Sequence, residues 1–422
     1  MSIMVVVGAN WGDEGKGRMV DYLARDASFV VRYQGGNNAG HTVVNEFGEF
    51  KLHLLPSGVF YPEVVNILGP GMVIDLEGLV TELDELAARG IHPNMRVSDR
   101  ATICFPFHRL EDGLEEDRLG KNAYGSTRRG IAPAYGDRTI KKALQVGELL
   151  YPERFSERLK QICAWKAERL EAFYGKKNLF SPEDMADWAR RCGDRLGAYI
   201  TDTSVLLEEG AEQGKSILFE AQLGTLRDLN FGIYPFTTSS CTLAAYAPIG
   251  GGLFGHHVDK VVAVVKAFST CVGEGPFVTT MDKEEADALR EFAKEYGAAT
   301  GRPRTIGHFD AVATRYGVWA QGATEVAVTK LDSLSGRKTL KICTHYEWRG
   351  KRYDRFPLNA VLEEASPVYE EMPGWNEDIT GVREFDALPK TAQAYILKIE
   401  KVIGCPVRFV SVGPEREALI VR

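Results

Sequence analysis

Two acids and a lysine stand inside a glycine-rich stretch near the start of the chain. GANWGDEGKG, Gly8 to Gly17, carries Asp13, Glu14 and Lys16. Glycines let backbone N–H groups approach an anion closely, and a lysine adds a point charge. Carboxylates in such a loop repel phosphate unless one binds a metal ion or moves a proton. A second small-residue stretch, GGNNAGHT from Gly35 to Thr42, offers Asn37 and Asn38 as amide donors and acceptors. His41 within it is a natural acid, or a hydrogen-bond donor to a developing negative charge. An acid–base pair, Asp13 and His41, beside a phosphate site is the sharpest chemistry these residues suggest. The bland alternatives are a generic tight turn and a structural histidine.

Other stretches add anion and base recognition. GSTRRGIAPAYGDR, Gly125 to Arg138, reads as a loop with Thr127, Arg128 and Arg129 suited to an oxyanion. ATGRPRT places Arg302 and Arg304 on a Gly/Pro loop. Guanidinium forks bind carboxylates and phosphates in bidentate fashion. EVAVTKLDSL reads as a strand ending in Lys330-Leu331-Asp332. A carboxylate accepts from both N–H groups of guanine and finds no such pair on adenine. VRFVSVGPE ends in Ser411-Val412-Gly413, whose backbone groups suit the same base. The first loop is not a regular P-loop. Six residues separate Gly8 from Gly15, and Gly17 follows Lys16 where a Ser or Thr is usual.

Strands and helices that alternate must position these loops. Strand candidates run Ile3 to Val7, Ser28 to Arg32, Ser216 to Phe219, Lys260 to Phe268, Glu325 to Thr329 and Arg408 to Val412, with shorter apolar runs around Leu52 and Val65. Helical stretches run about Lys16 to Arg25, Leu76 to Arg89, Asp282 to Tyr296 and Asp310 to Gln321. That alternation predicts an α/β fold with a large, mostly parallel central sheet and flanking helices. Adjacent strands are expected to bring Asp13 and His41 to one sheet edge. The chain of 422 residues shows no repeat or linker, so one domain over 1–422 is expected, with a mainly helical insertion at about 146–214. A net charge of −7 makes a general nucleic-acid or anionic-membrane binder a poor fit. The N-terminal residues do not read as a signal peptide, no membrane-spanning run is expected, and the seven scattered cysteines suit idle thiols in a cytoplasmic protein, not zinc or disulfides.

GANWGDEGKGRMVD, GGNNAGHT, STRRGIAPAY, YPFTTSSCT, KAFSTCVGEGPF, TGRPRTIGHFD, TKLD and SVGP occur in this order. Together they resemble the adenylosuccinate synthetase family, from Gly8 to Pro414. The resemblance implies a P-loop-like GTP-binding architecture with helical and loop insertions. It implies a ligase of AMP biosynthesis that joins IMP and L-aspartate at the expense of GTP. Asp13 would remove the N1 proton of IMP, and O6 would attack the γ-phosphorus, giving a 6-phosphoryl-IMP intermediate. His41 would act as acid there. Lys16 would neutralise phosphate, and the aspartate amino group would displace phosphate from C6. Mg2+ would be held by Asp13 and the Gly40 carbonyl.

By the same resemblance IMP would be met by Asp13, Glu14, Gly15, Lys16, Asn38, Ala39, Gly40, His41, Thr127, Gln222, Leu223, Thr238 and Arg302. Lys141 would reach IMP from the partner subunit of a homodimer. Aspartate would be held by Ala298, Ala299, Thr300, Gly301, Arg302, Pro303 and Arg304. GTP would be held by Gly12 to Arg18 (Gly12, Asp13, Glu14, Gly15, Lys16, Gly17, Arg18), by Gly40, His41, Thr42 and Arg304, and by Lys330, Leu331, Asp332, Ser411, Val412 and Gly413.

The chain departs from the commonest family pattern. Lys141 stands where the cross-subunit Arg is usual. The usual EGAQG reads EAQLG, so Gln222 is shifted by one and Leu223 takes the Gln position. Arg128 replaces a Gly and Cys271 an Arg. These bear on IMP recognition and leave two rivals. One is a related ligase acting on another purine nucleotide, against which Asp13 speaks. The other is a guanine-nucleotide switch, against which the missing Ser or Thr and the double-Arg loop speak.

Overall fold

The computed structural model of the chain describes residues 2–297 and 301–422. A ten-stranded sheet organises it. In chain order its strands are β1 (Ile3–Gly8), β2 (Phe29–Arg32), β3 (Val65–Leu68), β4 (Asn94–Ser98), β5 (Ile200–Thr201), β6 (Ile217–Glu220), β7 (Lys260–Lys266), β8 (Glu325–Thr329), β9 (Val407–Ser411) and β10 (Leu419–Val421). The spatial order is β10-β9-β8-β7-β1-β6-β2-β3-β4-β5. Every neighbouring pair is parallel except β9 with β10, which runs antiparallel.

Apolar strand runs follow from burial on both faces. Val6, Val30, Leu218, Val262 and Val264 face helix α1 (Lys16–Ala24), packing on its Met19, Val20 and Ala24. Val5, Val7, Val31, Phe219, Ala263 and Val265 point the other way, into a core shared with Leu207, Ala311, Ile396 and Ile399. The alternation is the period-two geometry of a strand.

Two expectations are corrected and a third is refined. β1 and β2 are not adjacent: β6 pairs with both, so the Asp13 and His41 loops share an edge but flank a third strand. That distant strand was read correctly as a strand, but local pattern carries no pairing order. The stretch Gly125 to Arg138 is only half loop, because Ile131–Thr139 is a helix. The segment 146–214 holds the helices Pro152–Tyr174, Pro182–Leu196 and Thr203–Glu212, but it also contributes β5 to the sheet. Helix Lys390–Ile403 and the antiparallel pair Thr339–Trp348 with Ser366–Pro373 had not been anticipated. Among the described residues no helix is long and apolar enough to cross a membrane.

Candidate active site

Parallel strands deliver their following loops to one edge, where open α/β sheets bind ligands. The loops after β1, β2, β6, β8 and β9 are the predicted glycine-rich, Asn/His, Gln222, TKLD and SVGP segments. The chain also reverses direction across the sheet around β1, with β6 and β7 on either side.

The first loop is folded on itself. Gly15, at φ 100°, is the N-cap of α1, a backbone conformation that L side chains avoid. Glu14 Oε1 accepts from the N–H groups of Asn10 (3.1 Å) and Gly12 (2.8 Å), and its Oε2 accepts from Lys16 Nζ at 2.6 Å. Glu14 and Lys16 are both buried. The loop's amides thus hold the protein's own carboxylate, and the Lys16 charge is matched internally. Thr329 Oγ1, at the end of β8, pins the loop by donating to the Glu14 carbonyl at 2.6 Å.

Asp13 stands at the end of a chain of alternating charges. Its Oδ2 accepts from Arg304 Nη2 at 2.9 Å. Arg304 also pairs with Glu295, whose Oε2 takes a second bond from Lys266 Nζ at 2.7 Å. Burial pushes the Glu295 carboxyl up, but Lys266 and Arg304 outweigh it and hold it at about 2. Burial pulls the Lys266 ammonium down to about 8, against the attraction of Glu295.

His41 is oriented from behind. Its Nδ1 lies 2.5 Å from Glu220 Oε1, at the last residue of β6. Ser57 adds two bonds to the same carboxylate, from Oγ and N, each 2.7 Å. Burial lowers the pKa of the His41 ring, against Glu220. Burial would raise that of Glu220, but His41 and Arg32 prevail and lower it. The lowered ring pKa and the short contact describe a neutral ring donating from Nδ1 to a carboxylate. His41 Nε2 is then buried without a hydrogen-bond partner among the described residues. The ring lies tight on α1: a Cβ at Gly17 would come within 2.7 Å of His41 Cβ.

Gln222 is fully buried and faces the same loop. It accepts from Arg32 Nη2 at 2.8 Å and donates to Asn38 Oδ1 at 2.8 Å. That leaves the Asn38 amide NH2 as the group to meet an anion. Leu223 sits at φ 58° beside Gly12, an unfavourable region for leucine. Five of the eight non-glycine residues with positive φ among the described residues lie on predicted site segments: Asp13, Arg128, Lys141, Leu223 and Lys330. Such outliers concentrate at functional sites.

The TKLD and SVGP loops meet. β8 and β9 are parallel neighbours, and Leu331 N donates to the Ser411 carbonyl at 3.3 Å. Burial raises the Asp332 carboxyl, while Lys330 and Arg18 oppose it. Lys330 Nζ donates to the Ala293 carbonyl at 2.8 Å, and Ser411 Oγ to the Gly413 carbonyl at 3.0 Å. Arg18 bonds the carbonyls of Glu415 and Ala418, each at 2.8 Å, tying α1 to this loop.

Thr127 is half-buried in a loop gripped by acids of the helix Pro106–Leu119. Glu116 accepts from the N–H groups of Tyr124, Gly125 and Ser126, and Asp112 from Gly130 N and Ser126 Oγ. Arg302 Nη1 lies 3.4 Å from the Gly125 carbonyl. Arg128 instead forms an exposed ion pair with Asp117. Lys141 is exposed, just past the helix Ile131–Thr139. Ala298, Ala299 and Thr300 lie outside the described residues. The seven cysteines are unpaired, six of them buried.

Sequence reasoning missed Glu220, Arg32, Lys266, Glu295, Asp112, Glu116 and Arg227. One signal was available: Glu220 and Lys266 are charged residues that close otherwise apolar central strands, ILFE and KVVAVVK. A charge there is buried at the edge where ligands bind, and needs a partner.

The chain's residues 5–420 match the family model described as adenylosuccinate synthetase. It is 53% identical to adenylosuccinate synthetase 2 of Pseudoalteromonas translucida, over 100% of both chains. It is 48% identical to the adenylosuccinate synthetase of Heliobacterium modesticaldum, over 100% of this chain and 99% of that one. The solved structure of fully ligated adenylosuccinate synthetase from Plasmodium falciparum superposes with a TM-score of 0.92 at 33% identity, covering 100% of each chain.

Proposed function

The chain belongs to the adenylosuccinate synthetase family, the GTP-dependent ligases that join IMP and L-aspartate in AMP biosynthesis, and we propose that Asp13 and His41 carry the chemistry. Asp13 accepts the N1 proton of IMP, which makes O6 the nucleophile toward the γ-phosphorus of GTP. His41 Nε2 meets the transferring phosphoryl group. Its ring is neutral in the free protein, and the incoming negative charge favours protonation, with Glu220 stabilising the imidazolium. The resulting 6-phosphoryl-IMP has a good leaving group at C6 for the aspartate amine. Arg304, paired with Asp13 without substrate, turns to the aspartate carboxylate with Arg302 and releases Asp13 as base.

Asn38, Thr127 and Thr238 hold the IMP phosphate, with Lys141 arriving from the second subunit of a homodimer in the cytoplasm. Asp332 reads guanine, flanked by Lys330 and the Ser411–Gly413 backbone. The donors for Mg2+ are the Asp13 carboxylate and the Gly40 carbonyl. Among the described residues no group of three or more His, Cys, Asp or Glu is gathered for a metal. One carboxylate and one carbonyl suit a hard cation that shares substrate phosphate oxygens and keeps waters. Bound there, Mg2+ would neutralise charge on the transferring phosphate.

The orphaned, buried His41 Nε2 is the observation that carries this reading, because once protonated it donates to a ligand oxyanion. The test is an absorbance assay with GTP, Mg2+ and L-aspartate, run on IMP and on GMP. Adenylosuccinate from IMP alone is expected. Product from GMP would reassign the substrate, and no product from either would overturn the proposal.

A further inference from the structure

The family pattern places an arginine at the position held here by Cys271, yet a guanidinium is present at that spot. It comes from another segment, the turn Thr225–Arg227 that follows β6. Arg227 is buried, and its Nη2 lies 2.9 Å from Cys271 Sγ and 2.9 Å from the Val272 carbonyl. Its Nη1 donates to the carbonyls of Phe236 at 2.5 Å and Glu274 at 2.9 Å. All four terminal N–H groups are thereby used. Burial raises the Cys271 thiol, so it is neutral, and the other three acceptors are backbone carbonyls. The positive charge is therefore not matched by an acid at these contacts. The backbone carbonyl of Arg227 adds a fifth tie, accepting from Thr238 N at 2.8 Å.

These ties join two loops, and a third packs against them. Thr238 and Phe236 belong to the first. Val272 and Glu274 belong to the second, which continues from the strand Ser269–Cys271, paired with Thr305–Gly307 beside Arg304. The third, carrying Thr127, lies against the second: a Cβ at Gly125 would stand 3.5 Å from Gly273 Cα and from Glu274 N. Tyr124 and Phe236 bring the third loop against the first, with ring centroids 6.2 Å apart.

We infer that Arg227 is a positioning residue of the nucleoside-monophosphate pocket, supplying from the β6 loop the guanidinium that Cys271 does not. It sets the spacing between Thr238 and Thr127 and adds behind them a positive charge that its own hydrogen-bond acceptors do not neutralise. The inference rests on the IMP reading of these two threonines. An arginine delivered to position 271 would reach the same carbonyls, so the two positions are exchangeable.

The test compares wild type with Arg227→Leu and with Arg227→Leu/Cys271→Arg, reading KM for IMP, kcat and thermal melting. The single variant is expected to raise KM for IMP about tenfold or more, with kcat changed by less than threefold. The double variant is expected to return KM to within about threefold of wild type. Arg227→Gln, which keeps volume and a donor, replaces Arg227→Leu if the latter shows no cooperative melting. A KM within twofold of wild type in the single variant, a loss confined to kcat, or no rescue by the relocated arginine would overturn the assignment. Wild type that makes no adenylosuccinate would remove the IMP reading itself, and this proposal with it.

Discussion

Replacing Glu220 by Gln tests the His41 assignment with almost no change in shape. The carboxylate accepts three bonds: from His41 Nδ1 and Ser57 Oγ at one oxygen, and from Ser57 N at the other. An amide has only one acceptor oxygen. If that oxygen stays on His41, the amide NH2 opposes the Ser57 N–H. If the amide flips, it faces Nδ1 and reverses the tautomer. In either case the anion that stabilises an imidazolium is gone. A hydrogen bond to a charged group contributes about 1.5–3 kcal/mol, which is about 10- to 150-fold in kcat at about 1.4 kcal/mol per decade. The loss also lowers the ring's proton affinity, because an opposite charge favours the charged form. The high-pH limb of kcat must therefore move to lower pH. Steady-state kinetics with saturating IMP, GTP and aspartate across pH 5.5–9 read both effects. A kcat within threefold of wild type and an unmoved profile would refute the role of Glu220.

Asp13→Ala should lower kcat by about 10²–10⁴-fold while calorimetric binding of GTP without Mg2+ survives, since Arg304 keeps Glu295 as a partner; retained turnover would remove Asp13 as base. Asp332→Asn turns one acceptor into a donor and should cut the GTP-over-ATP preference by about 10- to 100-fold, and an unchanged ratio would exclude it from base recognition. Glu295→Ala breaks a buried charge pair, an effect of about 3–5 kcal/mol in denaturant unfolding at neutral pH. Because the folded carboxyl sits at about 2 against an ordinary 4.5, the stability it contributes is present above 4.5 and is lost as pH falls toward 2. The wild-type advantage should shrink over that window, and a constant gap would show that Glu295 is not a paired anion.

Which residues are candidates for chemistry was legible from the chain alone. Glycines beside acids, small residues beside His41, and arginines on a Gly/Pro loop are local facts, and apolar strand runs announce a sheet buried on both faces. The strands Ile3–Gly8 and Glu325–Thr329 and the helix Lys16–Ala24 fell close to where periodicity put them. What local pattern cannot carry is the partner of a charge. Glu220 lies just past the strand read at Ser216 to Phe219, and only the fold sets it beside His41, 179 positions earlier. Nothing local marks Arg227, and only the fold brings it to Cys271. Nor can periodicity order the strands, so β6 between β1 and β2 was unforeseen. Side-chain type fixes what a group can donate or accept. Only the tertiary structure buries it, chooses its neighbour and sets its charge, because those depend on contacts between residues far apart in sequence.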